Sequence, residues 1–238
     1  MHLQLNEKKP GAADAVCELC GENTTISKMR AHVGKHILFK MRHQEETVEL
    51  SKSVRLTYIH QNASLNMNQM GASPRGFCGL DSGCQTQLIF KKHGVAHVKS
   101  TCPYHYEKMQ YKAALEPTKG GPCTNVPIHC RLCPPLKVSG EMRTIWKYNT
   151  IYHLLSEHSQ DITMTQILPI IPGQMVVDMF VSSSEEALMK VPLAATKAHR
   201  EEYRLQNSDG IEEIKEVLKR ERAETVTLVE PGGKKRKK

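Results

Sequence analysis

The hydrophobic positions of this 238-residue chain come in short runs separated by polar breaks, and no single helical or strand pattern dominates. Thr25 to His32 has helix-forming character, with Met29 as its apolar plug three residues before the first histidine. Cys84 to Phe90 and Val95 to Ser100 alternate like strands around Lys91-Lys92-His93-Gly94, which predicts a hairpin with a four-residue turn. Thr144 to His158 returns to helical spacing, with Ile151, Leu154 and Leu155 on its apolar side. Gln61 to Ser73 is rich in Asn, Gln, Met and Ser, carries no charge, and reads as a linker. Beyond residue 160, Pro172 is expected to start a short helix running through Phe180, and Ser183-x2-Glu186 has the form of a capping box for the next. Pro192 interrupts that helix, and Asp209-x2-Glu212 is expected to cap a last one, with an Ile211, Ile214, Val217, Leu218 face and a Glu216–Arg220 pair.

Composition changes this picture in one respect. Aromatic residues make up only 5% of the chain, and 15 glycines and 12 prolines punctuate it, so a single large hydrophobic core is not expected. Modules below about 40 residues rarely stand without a staple. The charge is also segregated. Residues 1–160 carry 20 Lys and Arg against 12 Asp and Glu, residues 161–230 carry 8 against 13, and residues 231–238 carry 5 against none. Met1 to Gly11 is polar rather than apolar, so no export signal and a reducing compartment are expected, where cysteines serve as ligands more often than as disulfides. The longest apolar stretch, Ile162 to Val177, is broken by Pro169 and Pro172, so no membrane span is expected.

The eight cysteines supply the missing staple. Cys17-x2-Cys20-x11-His32-x3-His36 puts two thiols on a knuckle and two imidazoles one helical turn apart, the donor set that tetrahedral Zn2+ takes. Cys130-x2-Cys133 with His153-x4-His158 repeats the logic over a longer middle, the wider histidine spacing being workable if the helix tightens or ends there. Between them, the ends of the predicted hairpin bring Cys84 and Cys102 together with Cys78 in reach. The fourth ligand there is His105 by preference, with His97 and Cys123 as alternatives. Two to three zinc ions per chain follow.

Residues 17–36 resemble a C2H2 zinc finger, with eleven residues in the middle where twelve are usual. The third grouping resembles the long-middle fingers of the BED type through its His153-Leu154 phrase ending at His158, and that resemblance implies a setting related to transposons or transcription. Pro122-Cys123-Thr124-Asn125-Val126-Pro127 and Trp146-Lys147-Tyr148-Asn149 are similar to phrases in a group of fungal proteins with several cysteine–histidine modules. Trp146 is expected to pack inside its own module. If the finger resemblance extends to function, Thr25, Lys28 and Ala31 fall at the base-reading positions. Of these only Lys28 suits a guanine edge or a phosphate. Lys91, Lys92 and Lys99 on the hairpin, with Tyr104, Tyr106 and Tyr111 nearby in sequence, make the best phosphate-and-stacking surface in the chain.

The fold class expected is therefore a set of small α+β zinc-stabilised modules, two ββα-like fingers and a β-hairpin zinc module, followed by a helical region and a disordered basic tail. The segments are a finger at 14–43, a helix extension and linker at 44–73, the hairpin module at 74–125, the long-middle finger at 126–160, an acidic helical region at 161–230, and the tail at 231–238. Closed four-ligand sites and the absence of Gly-rich phosphate loops, His-Glu-x2-His or Gly-x-Ser-x-Gly phrases argue against catalysis and against a small-molecule substrate. Lys234-Lys235-Arg236-Lys237-Lys238 after Pro-Gly-Gly fits a nuclear-import signal. The expected activity is nucleic-acid binding of modest sequence specificity in the nucleus. The alternative is a protein-interaction scaffold working through residues 161–230, with zinc serving folding alone.

Overall fold

Residues 14–44, 70–81, 83–91, 94–137, 139–159 and 170–228 are described by a computed structural model of the chain. Three antiparallel two-stranded sheets punctuate the first two-thirds. Strand β1 (Asp14–Val16) pairs with β2 (Asn23–Thr25), and α1 (Ile26–Met41) follows without a linker. Next comes the hairpin of β3 (Thr86–Phe90) and β4 (Ala96–Ser100), in register from Thr86 opposite Ser100 to Phe90 opposite Ala96. Strands β5 (Pro127–His129) and β6 (Thr144–Trp146) pair next, and a 3-10 turn leads into α2 (Thr150–His158). Among the described residues four further helices follow: α3 (Gly173–Met179), α4 (Ser183–Leu188), α5 (Leu193–Tyr203) and α6 (Ser208–Leu228).

The helix starts behave as their residues dictate, with small shifts in register. Pro172 stands at the N-cap of α3 and Pro192 at that of α5. The cap of α4 is Ser182, one residue before the serine the sequence singles out, and its hydroxyl accepts from the Glu185 backbone N–H at 3.1 Å. Asn207 Oδ1 accepts from the Gly210 N–H at 2.8 Å at the head of α6. On α6, Ile211 is fully buried, and Ile214 and Leu218 pack on Gly173 of α3, whereas Val217 is half exposed. Glu216 pairs with Lys219 at 3.7 Å.

Among the described residues, packing joins segments that the sequence sets apart. The apolar cluster around α1 holds Met29, Val33, Ile37 and Leu38, but also Cys123, Tyr148 of the 3-10 turn, and Met189, Val191 and Ala195 around α4 and α5. A second cluster joins Val126, Ile128, Ile145 and Leu154 to Met175 and Met179 of α3. Trp146 is buried, though in the hairpin's core rather than in that of its own strand pair. Its ring meets Phe77 edge-on at 5.0 Å, against the backbone of Gly76 where a Cβ would overlap the indole. The Leu88 N–H donates to Thr144 Oγ1 at 3.1 Å, and His129 Nε2 lies 2.8 Å from the Leu88 carbonyl, tying β3 to β5 and β6.

Helix α1 is the hub of this arrangement, and Gly34 is where it is most tightly approached. A side chain there would collide with the Cys123 sulfur, which is held between Arg30 and the Tyr148 hydroxyl. Gly34→Ala should therefore lower stability by about 1–3 kcal/mol. Adding Cys123→Ala should recover part of that loss. Urea unfolding of the four chains of this cycle measures the coupling, and additive effects would mean that the helix and the 123–125 segment do not touch.

Candidate metal centres

The first centre is built by a knuckle and a helix. After β1 the chain turns back on itself, the Gly21 N–H donating to the Cys17 carbonyl at 2.8 Å and the Cys17 N–H to the Glu22 carbonyl at 2.9 Å. Gly21 takes a φ of 76°, which a side chain would resist. That turn presents the Cys17 and Cys20 sulfurs to the first half of α1, where His32 and His36 lie one turn apart with Nε2 atoms 3.1 Å from each other. Cys20 Sγ is 3.2 Å from His32 Nε2. Ideal tetrahedral zinc, with bonds of roughly 2.3 Å to sulfur and 2.0–2.1 Å to nitrogen, has edges of about 3.3–3.8 Å. The donors are thus already at close to ligand spacing. His32 Nδ1 faces Glu22 Oε2 at 3.9 Å, placing a carboxylate behind the imidazole.

The third centre follows the same plan. Cys130 and Cys133 lie on the loop between β5 and β6, and His153 and His158 on α2. Cys133 Sγ is 3.4 Å from Nε2 of both His153 and His158, and Cys130 Sγ is 3.4 Å from His158 Nε2. The five-residue histidine spacing is accommodated because α2 ends at His158. Burial, followed by Arg143 and His158, lowers His153 to about 4, and burial lowers His158 as well. Both imidazoles are therefore neutral at pH 7 with a lone pair free for a metal. Burial, with Cys130 adding to it, pushes the Cys133 thiol up to about 11.

At the central centre Cys78, Cys84 and Cys102 come together, all three donors lying within 4.8 Å of one another. Hydrogen bonding from Cys102 lowers Cys78 to about 6, and in return Cys102 is pushed up. Hydrogen bonding from Cys20 likewise pulls Cys17 down while Cys20 rises. In both pairs one proton leaves readily, and the second is held until a cation displaces it.

The structure leaves His105 outside this trio. Its N–H donates to the Cys102 carbonyl at 3.0 Å, its ring lies 5.0 Å from that of Phe77, and Nε2 is buried without a hydrogen-bond partner among the described residues. His97 stands on β4 opposite Ile89. Cys123 is packed against α1 and takes no part in the cluster.

The residues picked out for nucleic acid are exposed but not gathered. Lys28 is on α1, and Lys91 and Lys99 are at opposite ends of the hairpin. Lys92 lies outside the described residues, as does the tail at 231–238. The face of α1 that a base-reading helix needs is only partly covered. Arg30 Nη1 donates to the carbonyls of Cys123 at 3.0 Å and Asn125 at 2.9 Å and Ala31 packs on the α1 cluster, while Thr25 stands at the N-cap position without a side-chain cap bond and Lys28 is exposed. Of the three tyrosines, Tyr104 donates to Glu18 and Tyr111 to the Pro127 carbonyl, both at 2.9 Å.

A buried polar network escapes sequence reasoning. Glu185 and Glu186, adjacent on α4, are each 1% exposed. Glu185 accepts from the Thr124 N–H at 2.6 Å, from the Thr124 hydroxyl and from the Tyr148 hydroxyl, while Lys147 Nζ donates to Thr124 Oγ1 at 2.7 Å. Glu186 takes Arg42 Nε at 2.5 Å, across 144 residues of sequence. The only trace in the sequence is the acidic pair inside a capping motif, which reads as solvated. No helix among the described residues is long and apolar enough to cross a membrane. The chain matches no protein-family model, no curated protein and no solved structure.

Proposed function

We propose that this is a non-catalytic, zinc-dependent nuclear protein whose three clusters each bind one Zn2+ and whose exposed lysines engage nucleic-acid phosphates. The zinc reading is carried by one observation: two Cys2His2 donor sets already spaced like the corners of a tetrahedron, with neutral imidazoles at the third centre. Four protein ligands close a site to water and substrate, so the metal there serves folding rather than hydrolysis. At the central cluster His105, three residues after Cys102, is the fourth ligand of this reading: its buried Nε2 has no partner among the described residues, and a turn of the ring is needed to bring it to the trio. Lys28, Lys91, Lys92 and Lys99 then serve as dispersed phosphate contacts, and the basic tail adds a tether and an import signal. With Ala31 packed on the α1 cluster and only Lys28 of the three base-reading positions both exposed and charged, backbone contact is favoured over base reading.

Metal analysis of the purified chain should return three zinc ions. Because the central trio is all that stands ready there and Cys84 is partly exposed, its ion should leave first under a graded chelator challenge. Cys84→Ser should abolish that early phase and spare the other two ions, and simultaneous release of all three would contradict the assignment. Nucleic-acid binding should fall steeply with salt, and no binding at 50 mM would rule out the phosphate role.

A second reading, a protein-interaction scaffold, is favoured by the exposed Phe90 and Val95 flanking the hairpin turn, at 54% and 60% exposure. A pull-down in which Phe90→Ser and Val95→Ser change no partner would remove it.

A further inference from the structure

Where α1, the 3-10 turn before α2 and the C-terminal helices meet lies a small, partly open cavity of about 50 Å³, and a second of about 190 Å³ adjoins it. Met41, Tyr148, Ile151 and His199 line both. Most of the first wall is aliphatic or aromatic, but three cations, Arg42, Lys147 and Arg200, also reach it, and no carboxylate does. Lys147 is matched by Glu185 across the Thr124 hydroxyl. Arg42 and the half-buried Arg200 share a single acid, Glu186, which Arg42 holds closely while Arg200 Nη2 stands 3.9 Å away, so two cations face one carboxylate.

The polar atoms at this junction are short of partners in the same sense. Arg200 is fixed by Nη1 to the Gln206 carbonyl at 2.8 Å and by Nη2 to the Val181 carbonyl at 2.5 Å, and its guanidinium lies over Phe180. Its Nε–H is buried with nothing to donate to among the described residues. His199 is 7% exposed, and neither of its ring nitrogens has a partner there. Burial, then Arg42 and Arg200, lowers its pKa to about 3, so the ring is neutral and offers one N–H. Leaving such donors buried and unpaired costs roughly 1–3 kcal/mol each, a cost that water relieves for hydrogen bonding but not for the excess charge.

We propose that this junction binds a small apolar carboxylic acid, its carboxylate accepting from Arg200 Nε–H and a His199 N–H and its hydrocarbon part lying in the larger cavity. A carboxylate supplies the absent negative charge, and the aliphatic walls supply a site for a chain. His199 forms part of the wall between the two cavities, so the chain enters by a turn of that ring. Such a ligand would bridge the first finger and the C-terminal helices, and would stabilise the fold by mass action without any chemical step. The site is independent of nucleic-acid binding.

The test uses the full, zinc-loaded chain and three eight-carbon probes, octanoate, octan-1-ol and octylamine, titrated by calorimetry. Octanoate should bind saturably at one site per chain and at least about 10-fold more tightly than octan-1-ol, the increment of one charge-assisted hydrogen bond, and octylamine should not bind. His199→Phe keeps the ring and loses the N–H, and should weaken octanoate about 10-fold while leaving octan-1-ol unchanged. Arg200→Met should bring acid and alcohol to within about 2-fold. Zinc content checks that both variants are folded, and if Arg200→Met is not, His199→Phe alone decides. Equal binding of acid and alcohol, no saturable octanoate binding, or undiminished octanoate affinity in His199→Phe would each overturn the proposal, the second leaving ordered water as the occupant.

Discussion

Cys17→Ser is expected to unfold far more than residues 14–43. Losing one of four ligands at a structural zinc site removes a large part of a binding free energy that, in small zinc modules, is roughly 10–16 kcal/mol at neutral pH. Residues 14–41 lose most directly, since β1 and β2 are three residues each and, apart from the proposed metal, the knuckle is held to α1 by the packing of Cys17 and Leu19. The effect then spreads, because the side chains that α1 buries, Val33, Ile37 and Leu38, share one cluster with Tyr148, Met189, Val191 and Ala195. Arg42 at the end of α1 is moreover the tight partner of Glu186. Hydrogen exchange should show α4 and α5 losing protection together with α1, and thermal unfolding should remain one transition at a lower temperature. Loss of protection confined to residues 14–43 would restore the picture of independent modules.

That picture is what the spacing of cysteines and histidines leads one to expect, and the places where it holds and fails have physical causes. The gathering of the cysteines and histidines at the first and third clusters is legible because its spacings along the chain are short and local: two residues inside a knuckle, about one helical turn between histidines. The hairpin is legible because alternation and a Lys-Lys-His-Gly turn are local signals, and Phe90 does pair with Ala96. The helix start at Pro172 is legible for the same reason, and Pro192, expected only to interrupt a helix, also caps the next one. What joins these pieces is not local. Trp146 crosses to the hairpin's Phe77, Arg30 donates to carbonyls 93 and 95 residues away, and nothing in the periodicity around either residue points to its partner. A low aromatic content suggested several small cores, and the buried residues do form three clusters, each drawing on distant segments. Methionines at positions 29, 70, 175, 179 and 189 contribute to the buried space, a role for which an unbranched, polarisable side chain is well suited.

The acidic pair at the start of α4 carries the second large expectation. Glu185→Ala is predicted to lower stability by about 3–5 kcal/mol, the range for removing one partner from a buried charged network. The change strands the Lys147 ammonium, in a residue only 7% exposed and already pushed to a lower pKa by burial, together with the Thr124 N–H and the Tyr148 hydroxyl. Glu185→Gln keeps the shape and two acceptor sites but not the charge, and should fall between the alanine variant and the parent. The combined change Glu185→Met with Lys147→Met removes both charges and fills the volume, and should be closer to the parent than either single change, because the loss in each single variant is mostly the uncompensated partner. Chemical denaturation of these chains, each checked for full zinc content, gives the interaction energy directly. An additive cycle would mean that Glu185 and Lys147 do not meet across Thr124, and that the C-terminal helices are held to the zinc centres by apolar packing alone.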